Sequence, residues 1–237
     1  MIGNSGEALS FEDPLTYLPR KPVQGFARRS VIYDAEQACD GLYVIILGRV
    51  KITSVADDGL ETVSRIVSVD DFFGESSLVG AEKRQESAVA LDKVSVMAWT
   101  RAEIERHIEH EPRLGIALSQ RLVSQCIELQ DRIESMAMYK TAERVMLALI
   151  QLAGSLGTPL ADGWTSMASL THHTLAGYVG TSREIITFQM NWLRRQGMLR
   201  YSRKSIDIFV AAVEGALRSR GVALPRPAAA VAHQASR

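Results

Sequence analysis

The sequence predicts an α+β chain in three parts: a jelly-roll β-barrel, one long helix, and a winged helix-turn-helix. Three observations carry that expectation. Residues 29–99 hold short β-rich runs punctuated by turns, with no helical periodicity between them. Residues 112–138 carry an apolar stripe, from Leu118 to Met136, at spacings of 4, 4, 3, 4 and 3. Residues 171–198 place two helix-start residues, Thr171 and Ser182, on either side of a turn at Gly180.

The 237 residues suffice for two domains with cores of their own. The expected division is an arm over 1–28, the barrel over 29–110, the long helix over 111–138, the winged domain over 139–217 and a disordered tail over 218–237. The N-terminus has neither a basic start nor an apolar core, so it does not read as a secretory signal. No stretch has the apolar length of a membrane span. Two cysteines, Cys39 and Cys126, form no disulfide framework and no zinc or iron–sulfur ligand set. No cofactor, no metal and no membrane are expected, and the chain reads as cytoplasmic. The net charge of zero hides an asymmetry. Residues 1–138 hold 15 Lys+Arg against 22 Asp+Glu, net −7, and residues 139–237 hold 12 against 5, net +7. The basic half is the one expected to meet a polyanion.

In the arm, Phe11, Leu15 and Leu18 suit a short helix that Pro19 and Pro22 end. Strands are then expected at 30–33, 42–47, 50–55, 61–67, 87–91 and 94–99, with Asp58-Gly59 as a hairpin signal. Between the fourth and fifth lies Asp70-Asp-Phe-Phe-Gly-Glu-Ser-Ser-Leu-Val79. A Gly followed by polar residues at the start of a short helix gathers backbone N–H groups, which favours an anion; Gly74, Glu75 and Ser76 are the residues concerned.

Pro112 suits the first turn of the long helix, because its missing N–H would be unbonded there anyway. The stripe is Leu118, Leu122, Cys126, Leu129, Ile133 and Met136, near a coiled-coil seam. Apolar flanks at Val123 and Ile127 indicate two contacts, a partner helix and the barrel. Cys126 on the seam reads as a small buried hydrophobe. Residues 141–153 form an amphipathic helix, 166–170 a short strand, and 211–219 a last short helix.

In the helix-turn-helix, Leu175 and Val179 share the inner face of the first helix, and Ile186, Met190 and Leu193 that of the second. Gly197 ends it. The outer face presents polar residues from the N-terminus onward, where recognition helices meet base edges. Three base contacts are expected: Arg183 donating to guanine, Glu184 accepting from cytosine, and Phe188 against a thymine methyl. Two strands around Arg203-Lys204 form a basic wing. Thr171, Ser182, Asn191, Arg203 and Lys204 are the candidates for phosphate contacts. Double-stranded DNA is the expected partner. No nucleophile–base–orienter set is visible, so no catalytic residues are assigned; an enzyme using the Glu75 pocket is the remote alternative.

Residues 42–50, Phe73-Gly-Glu-Ser-Ser-Leu78 and Ser87-Ala88 resemble the cyclic-nucleotide-binding domain. With Thr181-Ser-Arg-Glu184 downstream, the order resembles the cyclic-AMP receptor protein (Crp/Fnr) family over roughly residues 25–212. The resemblance implies a transcription regulator, a parallel homodimer through the long helix, and contact with RNA polymerase. It also implies an effector pocket. Glu75 fits the ribose position and Ser87 the phosphate position; Leu129 and Gln130 fall where family members carry base-reading hydroxyls. The sequence departs where the family has a phosphate-binding Arg before that Ser: the residue is Glu86, with Arg84 the nearest replacement. A carboxylate beside a phosphate repels it, and Leu129 cannot hydrogen-bond, so cyclic AMP is disfavoured. An effector of another kind, or none with control by abundance, are the two expectations left open.

Overall fold

The computed structural model of the chain describes residues 12–225 apart from 57, 58 and 60. Phe11 of the expected arm helix, Asp58 of the expected hairpin turn and residues 226–237 of the expected tail lie outside the described residues. In the arm, Asp13 caps a single 3₁₀ turn, Pro14–Thr16, in place of a longer helix.

Two four-stranded antiparallel sheets make the barrel. One has the order β1 (Gln24–Phe26), β8 (Val94–Trp99), β3 (Leu42–Leu47), β6 (Phe72–Phe73). The other runs β2 (Val31–Tyr33), β7 (Ser87–Ala90), β4 (Val50–Val55), β5 (Glu61–Val67). Alternating inward residues of both sheets, among them Ile45, Val50, Ile52, Val67, Phe73 and Val96, close one core. All six expected strands are present. The sequence does not foresee β1: three residues around a Gly carry no alternation, and only the open edge of β8 organises them.

A second cluster caps the barrel. Leu18, Leu42, Val44, Phe72 and Trp99 meet Ile104 of α1 (Arg101–His110) and Leu114 and Leu118 of α2 (Arg113–Met138). Leu118 therefore corrects the expected seam: it is 8% exposed and faces its own barrel, because the first turns of α2 lie on that cluster.

The winged domain is built on α3 (Thr141–Leu156), whose Val145, Met146, Leu149, Leu152 and Ala153 are buried. Around it lie α4 (His172–Val179), α5 (Arg183–Arg195) and α6 (Val210–Arg218). The third sheet orders β11 (Leu199–Tyr201), β12 (Ser205–Ile208), β10 (Thr165–Ala168) and β9 (Thr158–Pro159). The expected disorder is also corrected over the described residues 218–225. Gly221, at φ +71°, turns the chain back, Val222 is buried in the domain core, and Ala223 N donates to Tyr139 Oη at 3.1 Å. Composition averaged over the tail conceals these two apolar anchors, Val222 and Leu224.

The winged domain is docked on the barrel. Val63 and Ile66 of β5 belong to its core, and a Cβ at Gly177 of α4 would meet Val63 Cγ2 at 3.0 Å. Two arginines fix the contact. Arg49, paired with Asp92 at 2.7 Å, donates to the carbonyls of Ala168 and Ser169 at 2.7 and 3.3 Å. Arg132 of α2 donates to Ser64 O, to Val63 O at 3.1 Å and to Tyr178 O at 2.8 Å.

Candidate DNA interface and effector pocket

Both caps of the helix-turn-helix form. Thr171 Oγ1 accepts from Thr174 N at 3.0 Å, and Ser182 Oγ accepts from Ile185 N at 3.3 Å. Both hydroxyls also have a second partner within the motif: Thr171 Oγ1 lies 2.9 Å from Thr174 Oγ1, and Ser182 hydrogen-bonds the Glu184 carboxylate. Gly180, at φ +71°, ends α4 in the left-handed region. Leu175, Val179, Ile186, Met190 and Leu193 are buried as their spacing predicts.

The outer face of α5 is open. Arg183, Glu184 and Arg194 are exposed, and Phe188 is 60% exposed, a large cost for a ring that only meets water. Glu184 is held below the usual carboxylate range by its own backbone N–H and by Ser182, so it is an acceptor at neutral pH. Thr187 Oγ1 lies 2.8 Å from His172 Nδ1 and donates back to Arg183 O. Burial, then the Arg183 charge, lowers the His172 pKa, which keeps that imidazole neutral at pH 7.

Tyr201 of β11 is a residue the sequence does not single out. Its hydroxyl donates to Asn191 Oδ1 at 3.0 Å, its ring lies under Arg194 at 5.3 Å, and it meets His172 edge-on at 6.0 Å. It thus ties wing to recognition helix. Asn191 is accordingly half-buried and engaged within the domain rather than fully presented as a phosphate contact. Arg203 and Lys204 are exposed in the wing turn, which Ser202 N to Ser205 O closes at 2.8 Å.

Most polar groups of the pocket are engaged with one another; among the described residues, buried Gln125 Nε2 and Arg84 Nε have no hydrogen-bond partner. Arg65 Nη1 donates to Glu75 Oε1 at 2.6 Å and to Gln125 Oε1 of α2 at 3.0 Å; Nη2 donates to Phe72 O at 3.0 Å. Tyr33 Oη donates to Glu86 Oε1 at 3.0 Å, and burial pushes the Glu86 carboxyl up. Ser87 Oγ donates to Asp34 and accepts from Ala35 N. The expectation that Arg84 reaches toward a ligand is corrected. It is fully buried, stacked 4.2 Å over the Tyr33 ring, and donates to Gly74 O at 2.9 Å, Gly41 O at 2.6 Å and Ser76 Oγ at 3.3 Å. It is a strut between loops.

Between β5 and α2 a cavity of about 60 Å³ remains, lined by Arg65, Gln125 and Leu129 among others. That admits a water or two and is far below the roughly 300 Å³ at which small-molecule pockets begin. Gln130 is exposed on α2 and does not line it; Gln125 is the α2 residue that reaches the pocket.

Gly74 is the residue the pocket turn depends on. Its φ is +82°, and a Cβ there would meet Gly41 O and Arg84 Nη1 at 2.9 Å each. Gly74→Ala is expected to destabilise the chain by about 2–3 kcal/mol, the sum of the left-handed penalty and the displaced strut. Urea unfolding checks this; an unchanged midpoint would refute the strut.

Along α2, Leu122, Val123, Leu129, Ile133 and Met136 are exposed, Ile133 by 67%, and Cys126 is exposed among them. Among the described residues no helix is long and apolar enough to cross a membrane, and no group of three or more His, Cys, Asp or Glu is placed to hold a metal.

Two family models match: a cyclic nucleotide-binding domain over residues 23–111 and a Crp-like helix-turn-helix domain over 143–214. Transcriptional regulator SdrP of Thermus thermophilus is 31% identical over 164 residues, 68% of this chain and 75% of that protein. The global nitrogen regulator of a Nostoc species is 26% identical over 188 residues, 78% and 84% of the two chains. Among solved structures, a CRP/FNR-family transcriptional regulator of Thermus thermophilus superimposes with a TM-score of 0.68 at 27% identity, over 84% of this chain and 100% of that one.

Proposed function

The chain belongs to the CRP/FNR family of transcription regulators, and from that membership we propose that it binds a near-palindromic DNA site as a homodimer without cyclic AMP. The observation that carries the proposal is the Arg65 bridge. One guanidinium joins Glu75 of the pocket turn to Gln125 of α2, the two elements a pocket ligand would link. A side chain of the protein thus couples barrel to long helix. A nucleotide would have to break the Arg65–Glu75 pair and bring its phosphate near Glu86.

Dimerisation rests on the exposed α2 stripe, which has no reason to face water in a protomer acting alone. Two-fold pairing of α2 would set two α5 helices in successive major grooves. Family membership supports cytoplasmic action and contact with RNA polymerase. The relatives are regulators, and the pocket groups engage one another: Arg65 pairs with Glu75, and Tyr33 donates to Glu86.

The test is selection from a randomised duplex pool by the purified protein, with and without cyclic AMP. A two-fold symmetric site is expected in both arms with equal affinity. A site selected only with cyclic AMP would overturn the proposal.

A further inference from the structure

We infer that Arg49 and Arg132 set the spacing of the two DNA half-sites this protein accepts, by holding α4 at both ends; the inference rests on the homodimer reading above. Arg49 is buried in the turn between β3 and β4. It forks onto Asp92, Nε to Oδ2 at 2.7 Å and Nη2 to Oδ1 at 3.2 Å. Its remaining donors reach Ala168 O at 2.7 Å and Ser169 O at 3.3 Å, just before Thr171, the cap of α4. Ser169 N in turn donates to Lys204 O of the wing turn at 3.0 Å. Arg132 takes the other end. From α2 it donates to Tyr178 O, in the last turn of α4, at 2.8 Å, and stacks 4.2 Å over the Tyr178 ring. The same guanidinium reaches Ser64 O and, at 3.1 Å, Val63 O on β5, the edge strand of its sheet.

A helix held at one point can pivot; a helix held at both ends has a fixed direction. The donors of a planar guanidinium diverge at set angles, so each grip is directional. Between the grips the packing is close: a Cβ at Gly177 would meet Val63 Cγ2 at 3.0 Å and Glu61 O at 3.2 Å. Docking leaves the reading face free, since Arg183, Glu184 and Phe188 of α5 stay exposed. The α5 helix packs on α4, so the direction of α4 is passed to it. Arg132 stands on α2, the helix proposed to pair about the two-fold axis, and it therefore sets that direction against the axis. The two α5 helices then have one separation, and no pocket ligand takes part in fixing it.

Each base pair added between half-sites moves the second by about 3.4 Å and turns it by about 34° round the duplex. A rigid pair of reading helices fits one such position, whereas a loosely tethered pair follows several. The test is fluorescence anisotropy of the full chain on duplexes holding two selected half-sites, with the spacer varied one base pair at a time, and on a duplex holding one. The wild type is expected to favour one spacer over its neighbours by at least about 10-fold. Arg49→Met combined with Arg132→Met should bring neighbouring spacers within about 2-fold of one another. Gly177→Leu, a wedge from the α4 side, should do the same. Affinity for the single half-site, and the dimer mass by light scattering, should stay at the wild-type values. A spacer preference that survives the double arginine variant would overturn the inference; should that variant not fold, survival in Gly177→Leu would do so. A dimeric wild type indifferent to spacer would also overturn it. So would a changed affinity for the single half-site, because docking would then govern the reading face itself. A monomeric wild type would sink the homodimer reading, and this inference with it.

Discussion

Ile133→Glu is expected to yield a folded monomer whose affinity for the two-fold site is down by at least about 100-fold. Ile133 is 67% exposed in the protomer, so a carboxylate there costs the isolated chain little. In the proposed two-fold dimer it would face the partner helix, where two like charges would replace an apolar contact. Loss of the second half-site follows from mass action: each winged domain then binds alone, without the high effective concentration its partner supplies. Light scattering reads the mass and fluorescence anisotropy the affinity. A variant that stays dimeric would remove Ile133 from the interface. Leu118→Glu is the contrasting case. Leu118 is buried with Trp99, Ile104 and Leu114, so a charge there should unfold the barrel by several kcal/mol instead of parting two folded chains.

Arg183→Ala is expected to cost about 1–3 kcal/mol on the selected site and to relax preference at one base pair per half-site. Arg183 is the first residue of α5, exposed, beside an ionised Glu184 that can orient it. A bidentate contact to guanine is lost as a base-specific term, so the penalty should shrink on duplexes with another base at that position. Arg203→Ala in the wing is the control. It should weaken all sequences alike and lower the salt slope by about one counterion. If Arg183→Ala behaves like Arg203→Ala, Arg183 is a phosphate contact and base reading falls to Glu184 and Phe188.

Much of the candidate DNA surface is legible in the chain because its signals are local. A capping Ser, a Gly in the left-handed region and apolar residues three and four apart act within one or two turns of helix. Thr171, Gly180, Ser182, Ile186, Met190 and Leu193 all lie as their spacing predicts. The pocket is less legible. The expectation that Glu86 and Leu129 disfavour cyclic AMP rests on residue chemistry alone. That Arg65 takes Glu75, and that Arg84 turns inward to the Gly41 loop and the Gly74 turn, cannot be read in the chain, because those partners are distant in sequence.

The sequence by itself determined the six main strands of the barrel, the long helices, where the helix-turn-helix begins and ends, and which face of α5 is polar. These follow from backbone sterics, capping and periodicity, interactions that span a few residues. Only the tertiary structure decided that Leu118 belongs to the barrel, that 24–26 is a strand, that Val222 anchors the segment after α6, and that the winged domain sits on β5. Arg49 meets Ala168 across 119 positions and Arg132 meets Val63 across 69. At that separation nothing in the local pattern selects the partner; the choice is made by which buried charges and apolar faces are left unsatisfied once the local elements exist.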